Sequence, residues 1–465
     1  MSLIKSISGI RGTIGGRHGE GLTPLDVVRF SSAFAEFIKR QHQKRIKIVV
    51  GRDARISGEM VNRLVNNSLI GMGVDVVNLG PSTTPTVEMA VTAMHAQAGI
   101  IITASHNPRE WNALKLLNGE GEFISDNEGK AVLEIADQNS MTFADVDNLG
   151  RYAYYDRFLQ EHIDRILELP LVDKNAIANA GFRVVVDGIN STGGISIPPL
   201  LKQLGVEKVD LLNCDPNGEF SHDPEPLPEH LGEISERVPA RKADVGFVVD
   251  PDVDRLAIVC ENGSFFGEEY TLVAVADYVL NFTKGNTVSN LSSSRALRDI
   301  SQQKGVEHYS AAVGEVNVVK KMKEVHAVIG GEGNGGIIYP KLHYGRDALV
   351  GIALFLSHLA NTDKTVSMLR DSYPAYFMRK SKIRLEQGMN LDAVFDEFKQ
   401  KYKHENLDTT DGLKIEFEQE WVHMRKSNTE LIIRIYAESN TEEQAAYLTK
   451  KFENEIVAIA RKLNR

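Results

Sequence analysis

The sequence predicts an α/β protein in which helices and strands form successive layers. Helix and strand signals alternate along most of the 465 residues, which is the pattern of layered α/β domains. The strand segments are short apolar runs rich in β-branched residues, as expected of strands covered on both faces. The length exceeds what one hydrophobic core usually organises, so we expect three or four domains.

The first domain is predicted from a regular order of elements. Thr23-Pro24 is a favourable helix start, because proline fixes φ at the first helical position. Helix and strand segments follow in the order LDVVRFSSAFAEFIKR (helix), RIKIVV (strand), EMVNRLVNNSLIGMG (helix), VDVVNLG (strand) and AGIIITA (strand). The polar stretch QNSMTFADVDNLGR then separates this domain from the next.

The remaining elements predict two further α/β domains and a segment of different character. The second domain follows the helix-like YYDRFLQEHIDRILEL, opens on the strand FRVVVDG, and ends at ADVGFVVDPDVDRLAIV. The third runs from the helix-like GEEYTLVAVADYVLNF to RDALVGIALFLSHLA. The last segment, LKIEFEQEWVHMRKSNTELIIRIYAES, predicts strand, loop and strand, and the helix-like EEQAAYLTKKFENEIVAIARKL follows it.

Composition narrows the classes of function. The net charge of -10 opposes nonspecific binding to nucleic acid or to an anionic membrane. No stretch has the length and apolar character of a signal peptide or a membrane span. Cys214 and Cys260 lack disulfide or metal-ligand spacing, so we interpret them as packing residues and expect a cytoplasmic protein.

A hydroxyl and an imidazole follow the most apolar strand of the first domain. Ser105 and His106 come directly after the run Gly99 to Ile102, and Asn107-Pro108 predicts a turn there. Ligands of open α/β sheets tend to lie at the carboxyl ends of strands. The position of Ser105 therefore indicates a site without specifying its chemistry.

Three alternating aspartates form the second informative pattern. Asp250, Asp252 and Asp254 would point to one face of a regular strand, and clustered carboxylates repel one another unless a cation such as Mg²⁺ or Ca²⁺ neutralises them. An EF-hand is disfavoured, because Arg255 occupies the position where that loop needs glycine. The alternative is a solvated acidic turn.

Two later loops carry weaker signals. The segment IGGEGNGGIIYP places Glu332 and Asn334 on a glycine-rich turn, where a carboxylate and an amide could bind sugar hydroxyls. The segment HMRKSNTELIIRIYAES offers guanidinium, hydroxyl and amide donors suited to a phosphate, namely Arg425, Ser427, Asn428, Thr429 and Arg434. Taken alone, a glycine-rich turn more often simply reverses the chain, and the basic segment is equally compatible with a solvated face.

The joint occurrence of these motifs resembles the α-D-phosphohexomutase superfamily, which includes phosphoglucomutases, phosphomannomutases and phosphoglucosamine mutases. The similarity covers essentially the whole chain and rests on TASHNP, DPDVDR, GEGNGG and RKSNTELIIRIYAE, in that order, together with SGIRGTIGG and GRDARISGE. The resemblance implies three similar α/β domains with mixed sheets and a smaller α+β C-terminal domain around a central cleft. We place these domains at residues 1–150 with the phosphoserine loop, 151–260 with the metal-binding loop, 261–375 with the sugar-binding loop and 376–465 with the phosphate-binding loop.

The resemblance also implies the chemistry. Ser105 would be carried as a phosphoserine, with Mg²⁺ between it and Asp250, Asp252 and Asp254. A hexose 1,6-bisphosphate would be the intermediate and activator, and the partner would be a small hexose phosphate bound by a monomer or homodimer. The implied cations near the transferred group are Lys115, Arg255 and Arg11, with Lys115, His106 and Glu315 as alternative general acids or bases.

Several residues depart from the family pattern without removing a charged group: Ala113, Asn334, Gly336 and Leu431. A hydrolase that uses Ser105 fits poorly, because no Gly-x-Ser-x-Gly elbow is present. A noncatalytic sugar-phosphate-binding protein is the alternative of another class, although it would not need Ser105, Lys115 and the aspartates together. Among mutases we favour conversion of glucosamine 6-phosphate to glucosamine 1-phosphate, with a phosphoglucomutase/phosphomannomutase as the alternative.

Overall fold

The chain divides into two units of unequal size. The structure is a computed structural model that describes residues 2–6, 9–384, 391–426 and 432–463. The first unit comprises Met1–Phe282 with Asn334–Arg370, and the second comprises Thr283–Gly333 with Asp371–Arg465. The predicted α/β class with a smaller C-terminal domain is confirmed.

The first sheet of the first unit has seven strands in the order β1-β2-β6-β5-β3-β4-β7. Its elements are β1 (Ile4–Ser6), β2 (Gly9–Thr13), α1 (Pro24–Gln41), β3 (Lys47–Arg52), α2 (Gly58–Gly71), β4 (Asp75–Pro81), α3 (Thr84–Ala93), β5 (Ala98–Ile102), β6 (Trp111–Leu117), α4 (Asp126–Gln138) and β7 (Tyr152–Tyr154). Strands β5, β3, β4 and β7 pair in parallel, while β6 and β2 are antiparallel to their neighbours. The sheet is therefore mixed, as the resemblance implied.

Local sequence explains the two elements that flank the functional loop. Helix α1 begins where predicted, because the Thr23 hydroxyl accepts from the Asp26 backbone N–H and the Asp26 carboxylate accepts from that of Thr23. Every residue of β5 is buried, which matches its uninterrupted apolar run in the middle of the sheet. The loop that carries Ser105 thus starts from a rigid central strand.

A second, four-stranded sheet of the first unit has the order β11-β10-β8-β9. The strands of this sheet and the helices around it are, in chain order, α5 (Phe158–Leu167), α6 (Lys174–Ala180), β8 (Arg183–Asp187), α7 (Gly193–Gln203), β9 (Lys208–Leu212), α8 (Gly232–Ala240), β10 (Val245–Val249), β11 (Leu256–Cys260) and α9 (Glu268–Phe282). Strands β10 and β11 are antiparallel neighbours, with Val249 opposite Leu256. They are joined by residues 250–255, the acidic loop, which carries Asp250, Asp252 and Asp254.

The second unit begins with a parallel sheet in which β12 lies between β13 and β14. Its elements are β12 (Thr287–Asn290), α10 (Ala296–Gln303), β13 (His308–Ala311), α11 (Glu315–Glu324) and β14 (Ile329–Glu332). The chain then returns to the first unit with β15 (Gly336–Ile338) and α12 (Ala348–Ala360), and α13 (Val366–Asp371) follows. Helix α12 is apolar around its whole circumference and almost entirely buried.

The C-terminal part of the second unit is an antiparallel sheet in the order β16-β20-β19-β18-β17. Its elements are β16 (Phe377–Arg384), α14 (Leu391–Lys401), β17 (Asn406–Asp408), β18 (Leu413–Glu416), β19 (Trp421–Lys426), β20 (Ile432–Ser439) and α15 (Glu442–Leu463). The prediction of two strands before the last helix was wrong. A tight connection, in which the Phe417 N–H donates to the Glu420 carbonyl, divides the first predicted strand into β18 and β19.

Candidate active site

Ser105 lies three residues beyond the end of β5 and is buried. Its hydroxyl donates to Asp250 Oδ2 at 2.7 Å, and His106 Nδ1 is 3.4 Å from Ser105 Oγ. The backbone of Ser105 has φ of +48°, an uncommon left-handed conformation for a residue with a Cβ. Uncommon conformations of this kind are found at functional sites where the surrounding structure enforces them.

The three aspartates lie on a loop, not on a strand. Strand β10 ends at Val249 and β11 begins at Leu256, so the strand geometry considered from the alternation was wrong. Val253 has φ of +62°, which is unfavourable for a β-branched side chain. The resulting turn still gathers the carboxylates of Asp250, Asp252 and Asp254, since one oxygen from each lies within 4.8 Å of the others.

Two cations contact this buried acidic loop. Lys115, on β6, places Nζ 2.8 Å from Asp252 Oδ2 and 3.8 Å from Asp254 Oδ2. Arg346 places Nη2 2.6 Å from Asp254 Oδ2. The Thr84 hydroxyl, at the start of α3, also donates to Asp252 Oδ2. The loop between β10 and β11 is thereby fixed to the first sheet.

Burial and charge set different protonation preferences within the cluster. Burial, reinforced by the neighbouring carboxylates of Asp254 and Asp252, raises the pKa of Asp250 well above its usual range. Burial would also raise the pKa of Asp252, but the ammonium of Lys115 holds it below the usual range. Conversely, the two carboxylates outweigh burial and raise the pKa of Lys115. Burial and the cations of Arg255 and Lys115 lower the pKa of His106 well below its usual value, so its imidazole is neutral at pH 7.

The oxygen donors of this loop fit a hard divalent cation. Within the described part of the chain, Asp252 Oδ1 and Asp254 Oδ1 are buried and accept no hydrogen bond. Unpaired buried carboxylate oxygens are costly, and an ion such as Mg²⁺ would satisfy them with the all-oxygen coordination that it prefers. The residues that would hold it are Asp250, Asp252, Asp254 and the oxygen of Ser105.

A buried arginine holds the backbone of the Ser105 loop. The Arg55 guanidinium donates to the carbonyls of Ser105, Asn107, Pro108 and Trp111. Its Nε is 3.0 Å from Asp53 Oδ2, and Thr103 donates to the same carboxylate. Five contacts from one planar fork fix the loop in a way that a lysine cannot reproduce.

We therefore expect Arg55→Lys to lower kcat by about 100-fold with a smaller change in KM, since a small displacement of a reacting group is sufficient for a loss of that size. The variant should also lose about 3 kcal/mol in the free energy of unfolding, because four backbone carbonyls lose the guanidinium that donates to them. Steady-state kinetics and urea unfolding measure both effects. Arg63→Lys is the matched control, because the Arg63 side chain is 75% exposed. Equal kcat in Arg55→Lys and wild type would contradict the positioning argument.

The other residues predicted near the transferred group lie in the first unit. Arg11 is on β2, opposite Ala113 of β6. Arg255 is the last residue of the acidic loop. Its backbone N–H donates to Asp250 Oδ1, and its Nη1 is 3.5 Å from Glu225 Oε1. Asn334 also belongs to this unit, and its side-chain oxygen accepts from the Gly336 N–H.

The remaining predicted binding residues belong to the second unit. Glu332 ends β14 and accepts from Asn290 Nδ2 at 2.9 Å and from the Gly314 N–H at 3.0 Å. Glu315 begins α11. The structure therefore assigns Glu332 and Asn334, neighbours in one predicted loop, to different units.

The predicted phosphate loop is described only at its two ends. Arg425 on β19 is directly opposite Arg434 on β20, which places both guanidinium-bearing residues at one register position of the sheet. Arg425 Nε lies 3.6 Å from Asp411 Oδ2. Ser427, Asn428 and Thr429 lie outside the described residues.

Sequence reasoning missed four residues that organise the site: Asp53, Arg55, Thr84 and Arg346. The first two were quoted only as part of a motif typical of the family. Their contacts join segments far apart in the chain, 92 residues for Arg346 and Asp254, and no local spacing signals such a pair. Charged residues inside GRDARISGE and YGRDA were the available hint.

Four family models match the chain in consecutive segments. They describe the α/β/α domains I, II and III and the C-terminal domain of phosphoglucomutase/phosphomannomutase, at residues 3–142, 160–263, 267–376 and 381–455.

No helix in the described part of the chain is long and apolar enough to cross a membrane.

Similar proteins align over nearly the full length. A phosphoglucomutase/phosphomannomutase of Thermococcus kodakarensis is 36% identical, with 93% of this chain and 95% of the relative covered. A probable phosphoglucosamine mutase of Methanopyrus kandleri is 31% identical, with 96% of each chain covered. The solved structure of a phosphoglucomutase/phosphomannomutase family protein from Burkholderia thailandensis superposes with a TM-score of 0.85 at 25% identity, covering 98% of both chains.

Proposed function

The chain belongs to the phosphoglucomutase/phosphomannomutase family of phosphohexomutases, and from that premise we propose that it converts glucosamine 6-phosphate to glucosamine 1-phosphate through a phosphoserine at Ser105. The observation that carries the proposal is the Ser105 hydroxyl at 2.7 Å from the buried Asp250 carboxylate, in a loop that Lys115 and Arg346 also contact. A phosphoryl group on Ser105 would therefore meet oxygen ligands for a cation and fixed positive charge.

In the first half of the proposed reaction, the phosphoserine donates its phosphoryl group to the free hydroxyl of the sugar phosphate. The bond between the serine oxygen and phosphorus breaks and a bond from the sugar oxygen to phosphorus forms, while the sugar hydroxyl gives up its proton and the serine oxygen takes one up. A bound Mg²⁺ would supply positive charge against the phosphoryl oxygens. Lys115, Arg255 and Arg11 would add to that charge.

The proton acceptor is best assigned to His106 among the three candidates. Its Nδ1 lies 3.4 Å from Ser105 Oγ and its imidazole is neutral, so a ring nitrogen with an available lone pair lies beside the oxygen that would carry the transferred phosphoryl group. Lys115 is held as an ammonium by two carboxylates and therefore acts as a donor.

The second half regenerates the phosphoserine. The hexose 1,6-bisphosphate turns around and returns its other phosphoryl group to Ser105, so that phosphate moves between C6 and C1 without net hydrolysis. The same bisphosphate would activate unphosphorylated protein. We assign the nonreacting phosphate to Arg425, Ser427, Asn428, Thr429 and Arg434, and the sugar hydroxyls to Glu332 and Asn334, on the chemistry of their side chains.

A phosphoglucomutase/phosphomannomutase is the second candidate. The relative from Thermococcus kodakarensis that bears this name is 36% identical, against 31% for the relative from Methanopyrus kandleri named a probable phosphoglucosamine mutase. The substrates differ only in the substituent or configuration at C2, and a difference of one group is worth about 10- to 200-fold in kcat/KM.

The deciding experiment compares kcat/KM for glucosamine 6-phosphate, glucose 1-phosphate and mannose 1-phosphate, each with its matching 1,6-bisphosphate and Mg²⁺. We expect glucosamine 6-phosphate to exceed the other two by about 10-fold or more, because a site selects among such substrates by its contacts at C2. A preference of that size for glucose or mannose phosphate would establish the second candidate. Absence of turnover with all three would contradict a hexosamine or hexose substrate altogether.

A further inference from the structure

A second buried cluster of ligand-type side chains lies in the first unit, apart from the residues of the proposed mutase reaction. It consists of His162 on α5, His343 in the connection before α12, and Asp347, which caps the N-terminus of α12. One ligand atom from each lies within 4.8 Å of the other two. His162 and Asp347 are fully buried, and the His343 side chain is only 12% exposed.

The three facing atoms are close enough together to share one small cation. Asp347 Oδ2 lies 2.9 Å from His162 Nε2 and 3.3 Å from His343 Nε2. Bonds of 2.0 to 2.2 Å in a tetrahedral zinc site place neighbouring ligand atoms about 3.4 Å apart. The two imidazole rings are nearly perpendicular, at 89° with centroids 6.3 Å apart, so both direct a nitrogen to the same carboxylate oxygen without stacking.

The opposite side of each side chain is held by another group. His162 Nδ1 is 3.0 Å from the Thr86 hydroxyl, and His343 Nδ1 is 3.4 Å from Glu88 Oε2. The second oxygen of Asp347 accepts the backbone N–H groups of Leu349 and Val350. Metal-binding histidines are usually oriented in this manner, by an acceptor at the nitrogen that does not bind the ion.

The charges of the cluster also call for a cation. His343 faces one carboxylate with each ring nitrogen, yet a neutral imidazole carries a single N–H. Asp347 and Glu88 are both buried, and carboxylates held away from water are unfavourable unless a cation neutralises them. A divalent ion at Nε2 would balance both carboxylates while His343 Nδ1–H donates to Glu88.

We propose that His162, His343 and Asp347 bind a divalent transition-metal ion, with Zn²⁺ as the ion whose ligand preferences fit two imidazoles and a carboxylate. The ion would connect α5 to the N-terminus of α12, while Glu88 on α3 orients His343. The site is separate from the acidic loop of Asp250, Asp252 and Asp254, whose all-oxygen donors suit Mg²⁺. It does not depend on the mutase reaction.

The test is Co²⁺ binding to the full, chelator-treated chain in excess Mg²⁺, which keeps the acidic loop occupied. One equivalent of Co²⁺ should produce the visible absorption bands of four-coordinate cobalt, and Zn²⁺ should remove them. His343→Ala should abolish the bands, and Glu88→Gln should weaken Co²⁺ binding by about 10- to 100-fold, as for other residues that orient a ligand. His358→Ala is the matched control: this histidine lies 3.5 Å from Asp277, outside the cluster, and its loss should leave the bands unchanged.

Two outcomes would overturn the proposal. The first is a wild-type protein that shows no four-coordinate Co²⁺ bands, a result that does not depend on any variant folding. The second is a set of bands that survives unchanged in folded His343→Ala and His162→Gln, with folding checked by circular dichroism. In either case the cluster is a hydrogen-bonded arrangement of Asp347 with two histidines.

Discussion

Ser105→Ala is expected to lower mutase turnover by at least about four orders of magnitude, the scale of loss that follows removal of a covalent nucleophile. The hydroxyl is the atom on which the proposed phosphoserine forms, and no other side chain of the described loop offers an oxygen to Asp250 in its place. The substitution removes one oxygen but keeps the conformation of the loop, because Arg55 binds the backbone carbonyls and not the hydroxyl.

The measurement combines steady-state kinetics, with saturating hexose 1,6-bisphosphate, and intact-mass analysis. Wild-type protein should show a fraction heavier by one phosphoryl group, and the Ser105→Ala protein should show none. Ser196→Ala is the matched control, since among described groups this buried hydroxyl donates only to the carbonyl of Thr192, the residue before α7. Full activity in Ser105→Ala, or phosphorylation that persists on it, would remove Ser105 from the mechanism.

The parts of the site that sequence predicted well are those encoded by contiguous residues. The apolar run before Ser105 is the buried strand β5, and the turn signal of Asn107-Pro108 lies where the chain leaves the sheet. The helix start at Thr23-Pro24 is also encoded locally, because a cap and its partner are three residues apart.

Sequence predicted less well wherever tertiary contacts decide the structure. The alternation of Asp250, Asp252 and Asp254 is compatible with either a strand or a loop, and the choice depends on Val253 adopting a positive φ. Strand β7 (Tyr152–Tyr154) lies just after the polar stretch and has no apolar pattern of its own. It forms because it pairs with the neighbouring strand β4. Tertiary pairing of this kind overrides local propensity.

The sequence did not predict the roles of Arg55 and Arg346, for a related reason. Arg55 and Arg346 are separated in sequence from the groups they hold, and an arginine in a polar segment is usually solvated. Only their burial beside backbone carbonyls and Asp254 identifies them.

Asp250 offers a substitution whose effects on activity and stability should have opposite signs. In the metal-free chain its carboxylate is fully buried beside two others, and burial followed by repulsion from Asp254 and Asp252 raises its pKa well above the usual range. A carboxyl with a higher pKa in the folded state destabilises the fold at neutral pH, where it must be charged. That penalty is relieved as the pH falls through the folded pKa.

Asp250→Asn is therefore expected to abolish turnover while leaving the metal-free protein at least as stable as wild type. The amide keeps an oxygen to accept the backbone N–H groups of Asp254 and Arg255, and it removes one of three mutually repelling charges. Turnover should fall by about 1000-fold or more, because a neutral ligand weakens the cation site against the transferred phosphoryl group. Thermal unfolding in chelator, and again in Mg²⁺, separates the two effects: Mg²⁺ should raise the wild-type Tm and leave that of Asp250→Asn unchanged.

Asp210→Asn is the matched control, since Asp210 pairs with Arg237 and Arg241 at the surface and its carboxylate has a lowered pKa. That variant should lose some stability and keep both turnover and the response to Mg²⁺. If Asp250→Asn retained activity, or if its metal-free form unfolded well below wild type, the acidic loop would be a structural ion-pair network and not the cation site of the reaction.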